Sequence, residues 1–167
     1  ERLRARGYAT ACIGKWGLGP MDSEGSPLQQ GFDRFFGYNC QRQAHNYYPT
    51  YLYDDDRRLP LDNPAFLVNQ KLPDGADPAD PRTYAGYAGK VYAPDLTWER
   101  ARAFIRENKD RPFSLYLPTT VPHLALQAPD RTLSDDDAAV VRERVISALV
   151  AAFGAELKEQ GARPWSY

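Results

Sequence analysis

The chain is 167 residues long, 43% hydrophobic and 26% charged, with 21 basic against 22 acidic residues and a formal net charge of −1. That length and composition suit one globular domain with a real core and exclude a disordered chain, while the near-neutral charge gives no electrostatic basis for nucleic acid or an acidic membrane surface as partner. No apolar run approaches the roughly 20 residues of a membrane span, and two cysteines, Cys12 and Cys40, with two histidines, His45 and His123, make neither a disulfide framework nor a zinc site by spacing.

Residues 1–6 read as a helix stopped by Gly7. They are charged, no apolar segment follows them, and a chain that starts inside a motif without an initiator methionine reads as a piece of a longer protein. A short apolar strand over residues 11–13 then runs into a loop with Gly14, Gly17 and Gly19, in which Lys15 stands beside Trp16. Glycines let a backbone approach a small ligand, and a cation at a strand end is presented as a fixed charge. The plainer alternative is a strand, a Gly-rich turn and a surface lysine.

Residues 20–30 are polar and punctuated by Gly and Pro, hence a loop. Residues 31–38 set three phenylalanines and a tyrosine between glycines, a buried aromatic plug. Residues 39–49 mix aromatics with many side-chain donors that are costly to bury unpaired, so they line a wet cleft or lie on the surface. There His45 is a candidate ligand contact or a structural histidine.

Residues 51–53 and 58–61 flank Asp54, Asp55, Asp56 and Arg57, a hairpin with an acidic turn. The three adjacent carboxylates lack the alternation and glycine bend of a calcium loop, which favours a solvated turn. Residues 73–82, rich in Pro and Asp, read as an exposed loop. From 94 to 108 the period changes to that of a helix, with Leu96, Ala101, Phe104 and Ile105 on one face and Pro94 and Asp95 in the first turn. Residues 112–117 follow as a buried strand. Helix then strand is half of a βαβ unit and predicts a parallel sheet with covering helices. Residues 118–123 leave the carboxyl end of that strand, the edge where ligands bind in open α/β sheets. A last helix runs from a Ser134 cap to Gln160, with Gly161 as its stop.

Three segments, GYATACIGKWGLGP, GFDRFFGYNCQRQAHNYYP and PFSLYLPTTVPHLAL, stand in this order. Together they resemble the sulfatase family, the formylglycine-dependent sulfuric ester hydrolases of the alkaline-phosphatase-like superfamily. The similarity covers residues 1–130, and the helical tail 131–167 diverges, so the chain reads as a single incomplete segment of a sulfatase catalytic domain. The resemblance implies an α/β, partial alkaline-phosphatase-like fold with a mainly parallel sheet covered by helices, plus a hairpin and long loops. It implies hydrolysis of sulfate monoesters of small molecules or glycans, calcium and formylglycine as cofactors, and a periplasmic or secreted location. It matches Lys15 and His123 to residues that contact the sulfate, with His123 assisting the leaving group, and it makes Trp16, Gln41, His45 and Asn46 a substrate-side wall.

The chemistry agrees with that assignment. Moving a sulfuryl group calls for fixed cations at its spread negative charge and a proton donor at the departing oxygen. The chain also departs from the family. Gly17 stands where the familiar phrase GKWHLG has histidine. Neither Cys12 nor Cys40 lies in the C/S-x-P/A-x-R phrase that yields formylglycine, and the calcium-binding carboxylates have no matching positions. This segment alone is therefore expected neither to hold the metal nor to turn over substrate. The rival readings are a phosphodiesterase or phosphatase of the same superfamily and a non-catalytic remnant.

Overall fold

The computed structural model describes residues 1–68, 70–77, 80–121 and 127, all within a compact unit spanning Glu1–Pro129. His123 and the helix expected over residues 134–160 lie outside the described residues. The sequence 1–6 yields less helix than expected, a single 3-10 turn over Arg4–Arg6 that ends on left-handed Gly7.

Five strands form one sheet in the order β4-β3-β2-β1-β5. They are β1 (Ala9–Lys15), β2 (Arg34–Tyr38), β3 (Tyr51–Asp54), β4 (Arg57–Pro60) and β5 (Phe113–Tyr116). The expected α/β character holds. The two neighbours of β1 run parallel to it, and the predicted hairpin joins the sheet through β3, which runs antiparallel to β2. The sheet is therefore mixed.

Burial follows the period of the strand. Ala9, Ala11 and Ile13 of β1 and Phe36 and Tyr38 of β2 enter one cluster with Ala93, Ala101 and Phe104, whereas Cys12, Trp16 and Phe35 form a second. The aromatic plug of residues 31–38 is thus a strand that sends its rings to both faces. β1 is buried along its whole length up to Lys15, as a strand covered on both sides must be.

The first cluster is closed by α1 (Ala93–Asn108), which takes Pro94 and Asp95 in its first turn. Its buried stripe is Ala93, Thr97, Ala101, Phe104 and Asn108. Phe104 meets Phe113 edge to face at 5.9 Å, a burial of about 2 to 3 kcal/mol. Ile105, expected on this face, is 42% exposed, because Phe104 takes the inward position and the next residue is rotated away. The inward polar groups are satisfied locally, Thr97 Oγ1 donating to the Ala93 carbonyl and Asn108 Nδ2 to that of Phe104.

Two loops differ from the sequence reading. The acidic turn is not wholly solvated: Asp54 pairs with Arg100 at 2.9 Å, and Asp55 pairs with Arg34 at 3.0 Å and accepts the Phe35 N–H at 2.9 Å. Only Asp56 of the three is exposed. Asp80 caps a 3-10 helix over Pro81–Tyr87 by accepting the Arg82 N–H, which orders the end of the Pro- and Asp-rich loop. β5, expected to be buried, is partly exposed, with Tyr116 at 50%. Among the described residues it is the outer parallel strand.

Candidate functional site

Lys15 ends β1 at the carboxyl edge of the three parallel strands. Its N–H donates to the Pro118 carbonyl at 2.8 Å, and the next N–H, that of Trp16, donates to the Tyr38 carbonyl at 2.8 Å. The backbone that carries the cation is thus held from both sides. The strands approach closely because Gly14 and Gly37, opposite each other in register, have no side chains and take φ of 136° and 137°. A Cβ on Gly37 would strike the Gly14 carbonyl, and one on Gly14 would strike that of Pro118. Lys15 is half-buried as a residue, and its ammonium has no carboxylate partner among the described residues.

The other candidates fall in different surroundings. Trp16 is 7% exposed, donates its indole N–H to the Gly25 carbonyl at 2.8 Å and meets Phe32 edge to face, so it anchors the glycine loop. Gln41 is exposed and lies against Gly17, at the position where the family phrase carries histidine. It lines a cleft of about 470 Å3 with Gly17, Arg42, Gln43, Tyr51 and Tyr53. Asn39 braces that cleft's glycine wall once its carboxamide is assigned by its neighbours, the nitrogen to the Gly19 carbonyl and the oxygen to the Met21 N–H, 3.0 Å each. His45 is half-buried at the end of a 3-10 turn. Asn46 is 5% exposed, with Oδ1 accepting the Tyr48 N–H at 3.0 Å and its carbonyl accepting the Tyr38 hydroxyl at 2.7 Å. Trp16 and Gln41 thus flank Gly17, whereas Asn46 packs behind Tyr38.

Nothing in the periodicity singles out Tyr47, yet it ties the sheet edge to the segment beyond β5. Its hydroxyl donates to the Thr120 carbonyl at 3.0 Å and its backbone N–H to Gln127 Oε1 at 2.6 Å. The only sequence signal is the aromatic pair Tyr47-Tyr48 before Pro49. Burial, aided by the neighbouring phenols of Tyr47 and Tyr92, pushes the Tyr38 phenol up, so it remains a protonated donor to Asn46.

The described residues do not fit the family's cofactors. No group of three or more His, Cys, Asp or Glu among them can hold a metal ion, and the densest carboxylates, Asp54 and Asp55, are already paired with Arg100 and Arg34. Cys12 is fully buried and its thiol is pushed up to about 12 by that burial. Cys40 is exposed but stands in no C/S-x-P/A-x-R phrase. No helix of the described residues is long and apolar enough to cross a membrane.

This sequence is similar to parts of known proteins. Arylsulfatase J of Mus musculus is 27% identical over 133 residues, 78% of this chain and 19% of that protein. An arylsulfatase of Klebsiella aerogenes is 28% identical over 131 residues, 78% of this chain and 25% of that protein. The chain therefore spans about a fifth to a quarter of the length of these curated relatives. The family model for Sulfatase matches residues 1–142, a stretch that takes in the Lys15 loop, β2, the polar-aromatic segment after it, the helix and β5, and on that match the chain belongs to the sulfatase family.

Proposed function

We propose that this chain is a segment of an enzyme that hydrolyses sulfate monoesters, and that it supplies the cation and the proton donor of the reaction. The observation that carries the reading is Lys15: an ammonium without a carboxylate partner among the described residues, on a backbone gripped by Tyr38 and Pro118. A cation carried on a backbone held in this way starts near the place where negative charge spreads over the non-bridging sulfate oxygens. As the bond from sulfur to the ester oxygen breaks, that oxygen takes a proton, the role assigned to His123. Two peptide units, at most about 7 Å of chain, separate His123 from Val121, just beyond the tethered Thr120. Gln41 belongs to the substrate wall, and Trp16 holds the loop on which Lys15 sits. His45 and Asn46 act through the position of the 43–49 segment. The nucleophile and the calcium ligands belong to the remainder of the enzyme, and no step is assigned to them.

The test uses the full-length gene product with p-nitrophenyl sulfate and p-nitrophenyl phosphate, which share a leaving group. Preferential hydrolysis of the sulfate is expected. Faster turnover of the phosphate would move the assignment to the phosphoryl enzymes of the superfamily, and no turnover of either would leave a non-catalytic remnant.

A further inference from the structure

Lys15 ends β1, and the exit of β5 is tied to it by two routes. The direct one is the Lys15 N–H on the Pro118 carbonyl. The other runs around the sheet edge. The Trp16 N–H donates to the Tyr38 carbonyl, the Tyr38 hydroxyl donates to the Asn46 carbonyl at 2.7 Å, and the next residue, Tyr47, donates its hydroxyl to the Thr120 carbonyl at 3.0 Å. Lys15 follows the two-residue period of Ala9, Ala11 and Ile13, whose side chains share a cluster with Tyr38, while Trp16 enters the opposite cluster. The cation therefore leaves β1 on the face that carries Tyr38.

Tyr47 is held from several directions. It is 3% exposed, its carbonyl accepts the Ala93 N–H at 2.9 Å, and its ring meets Tyr92 edge to face at 5.9 Å. Its own N–H donates to Gln127 Oε1, and the buried Gln127 directs its Nε2 to the Tyr87 carbonyl at 3.1 Å. Within the exit of β5, Thr119 Oγ1 donates to the Val121 carbonyl at 2.9 Å. Thr120 and Gln127 thus both attach to Tyr47, and His123 stands between them in the sequence.

Position counts most at the departing oxygen. When the ester bond from sulfur to oxygen breaks, the bonding pair stays on the alcohol oxygen, the sulfuryl group goes to an incoming oxygen nucleophile, and a donor within hydrogen-bond reach supplies the proton that neutralises the alcoholate. A misplacement of about 1 Å in such a group can cost roughly a hundredfold. The demand for the proton grows as the alcohol becomes a poorer leaving group. We infer that Tyr47 is a positioning residue for this proton transfer, setting the exit of β5 against the strand that carries Lys15, an inference that rests on the sulfate-ester reading and on the role it gives His123.

In the full-length protein, kcat/KM is measured for p-nitrophenyl sulfate, which has a good leaving group, and phenyl sulfate, which has a poor one, in wild type, Tyr47→Phe, His123→Ala and the double variant. Tyr47→Phe keeps the ring and removes the donor to Thr120. It is expected to lose about tenfold or more on phenyl sulfate and to stay within about threefold on p-nitrophenyl sulfate. His123→Ala is expected to show the same bias, and the double variant to be no worse than His123→Ala, since both changes act through one proton transfer. A tyrosine that only stabilised the fold would lower both rates by one factor. Equal losses on the two esters, no loss on phenyl sulfate, or a double variant that multiplies the two losses therefore overturns the positioning role, and Gln127→Ala is held to the same criteria if Tyr47→Phe does not fold. A biased His123→Ala beside an unbiased Tyr47→Phe removes the positioning role alone. An unbiased His123→Ala, or a wild type that cleaves neither ester, shows the reading of His123 or of the sulfate ester to be wrong and removes the positioning role with it.

Discussion

Tyr47 and Gln127, 80 residues apart, are joined by a hydrogen bond of 2.6 Å from a buried backbone N–H to a buried side-chain carbonyl. With the Tyr47 hydroxyl on Thr120, it ties both ends of a short stretch to one residue. Gln127→Ala leaves a buried donor unpaired and is expected to cost about 1 to 3 kcal/mol, and Tyr47→Phe about 1 kcal/mol. Urea midpoints of the full-length protein should fall in that order. Parental midpoints in both variants would show that the tether contributes nothing.

Lys15→Ala is expected to lower kcat on a sulfate ester by about a hundredfold or more, the scale of losing one charge-stabilising group at a reacting centre. Its melting temperature should stay near the parent's, because the backbone bonds to Tyr38 and Pro118 remain. Lys15→Arg should not restore activity, since a planar fork replaces a compact charge. Steady-state kinetics with a thermal melt separates the two effects, and unchanged kcat in Lys15→Ala would end the assignment.

Gly14→Ala forces a side chain into the Pro118 carbonyl at a backbone φ of 136°. A loss of roughly 2 kcal/mol or more is expected from strain and displaced strands. Amide hydrogen exchange should rise along β1 and at the Lys15 N–H. Unchanged protection would mean that the strands part without cost.

Cys12 and Cys40 should respond oppositely to alkylation. At pH 8 iodoacetamide should modify the exposed Cys40 and spare Cys12, whose thiol burial pushes from 9.0 to about 12. The same shift sets a pH dependence. The unfolded chain releases the Cys12 proton near pH 9 while the fold still holds it, so stability is complete below that pH and declines toward pH 12. The raised Tyr38 phenol acts in the same sense at still higher pH. Peptide mapping of the adducts and urea midpoints from pH 8 to 11 check both statements.

Much of the fold was legible because local pattern and burial agreed. The run around Ile13, the hairpin at Asp54–Arg57 and the helix begun by Pro94 all carry periodicity that the structure keeps. β2 was less legible, since Phe35 and Phe36 are both buried, on opposite faces, and without alternation aromatic content alone does not mark a strand. Ile105 and Phe104 are equally apolar neighbours, and only the position of Phe113 decides which turns inward. At the site, Lys15 could be picked out by type and position. The cleft could not, because Gly17 and Gln41 meet only after β1 and β2 pair. Tyr47 was hidden for a similar reason, as its partners lie 73 and 80 residues away.

The stacked glycines of β1 and β2 have one more consequence. Sliding either strand by a single residue would bring Ile13, Phe36 or Lys15 to a point where a neighbouring carbonyl already stands, and it would exchange the side chains that the moved strand sends to the two buried clusters. The pair works as a key that fits one alignment only. The cation owes its address to this steric lock between glycines, with no contact of its own side chain needed to set it.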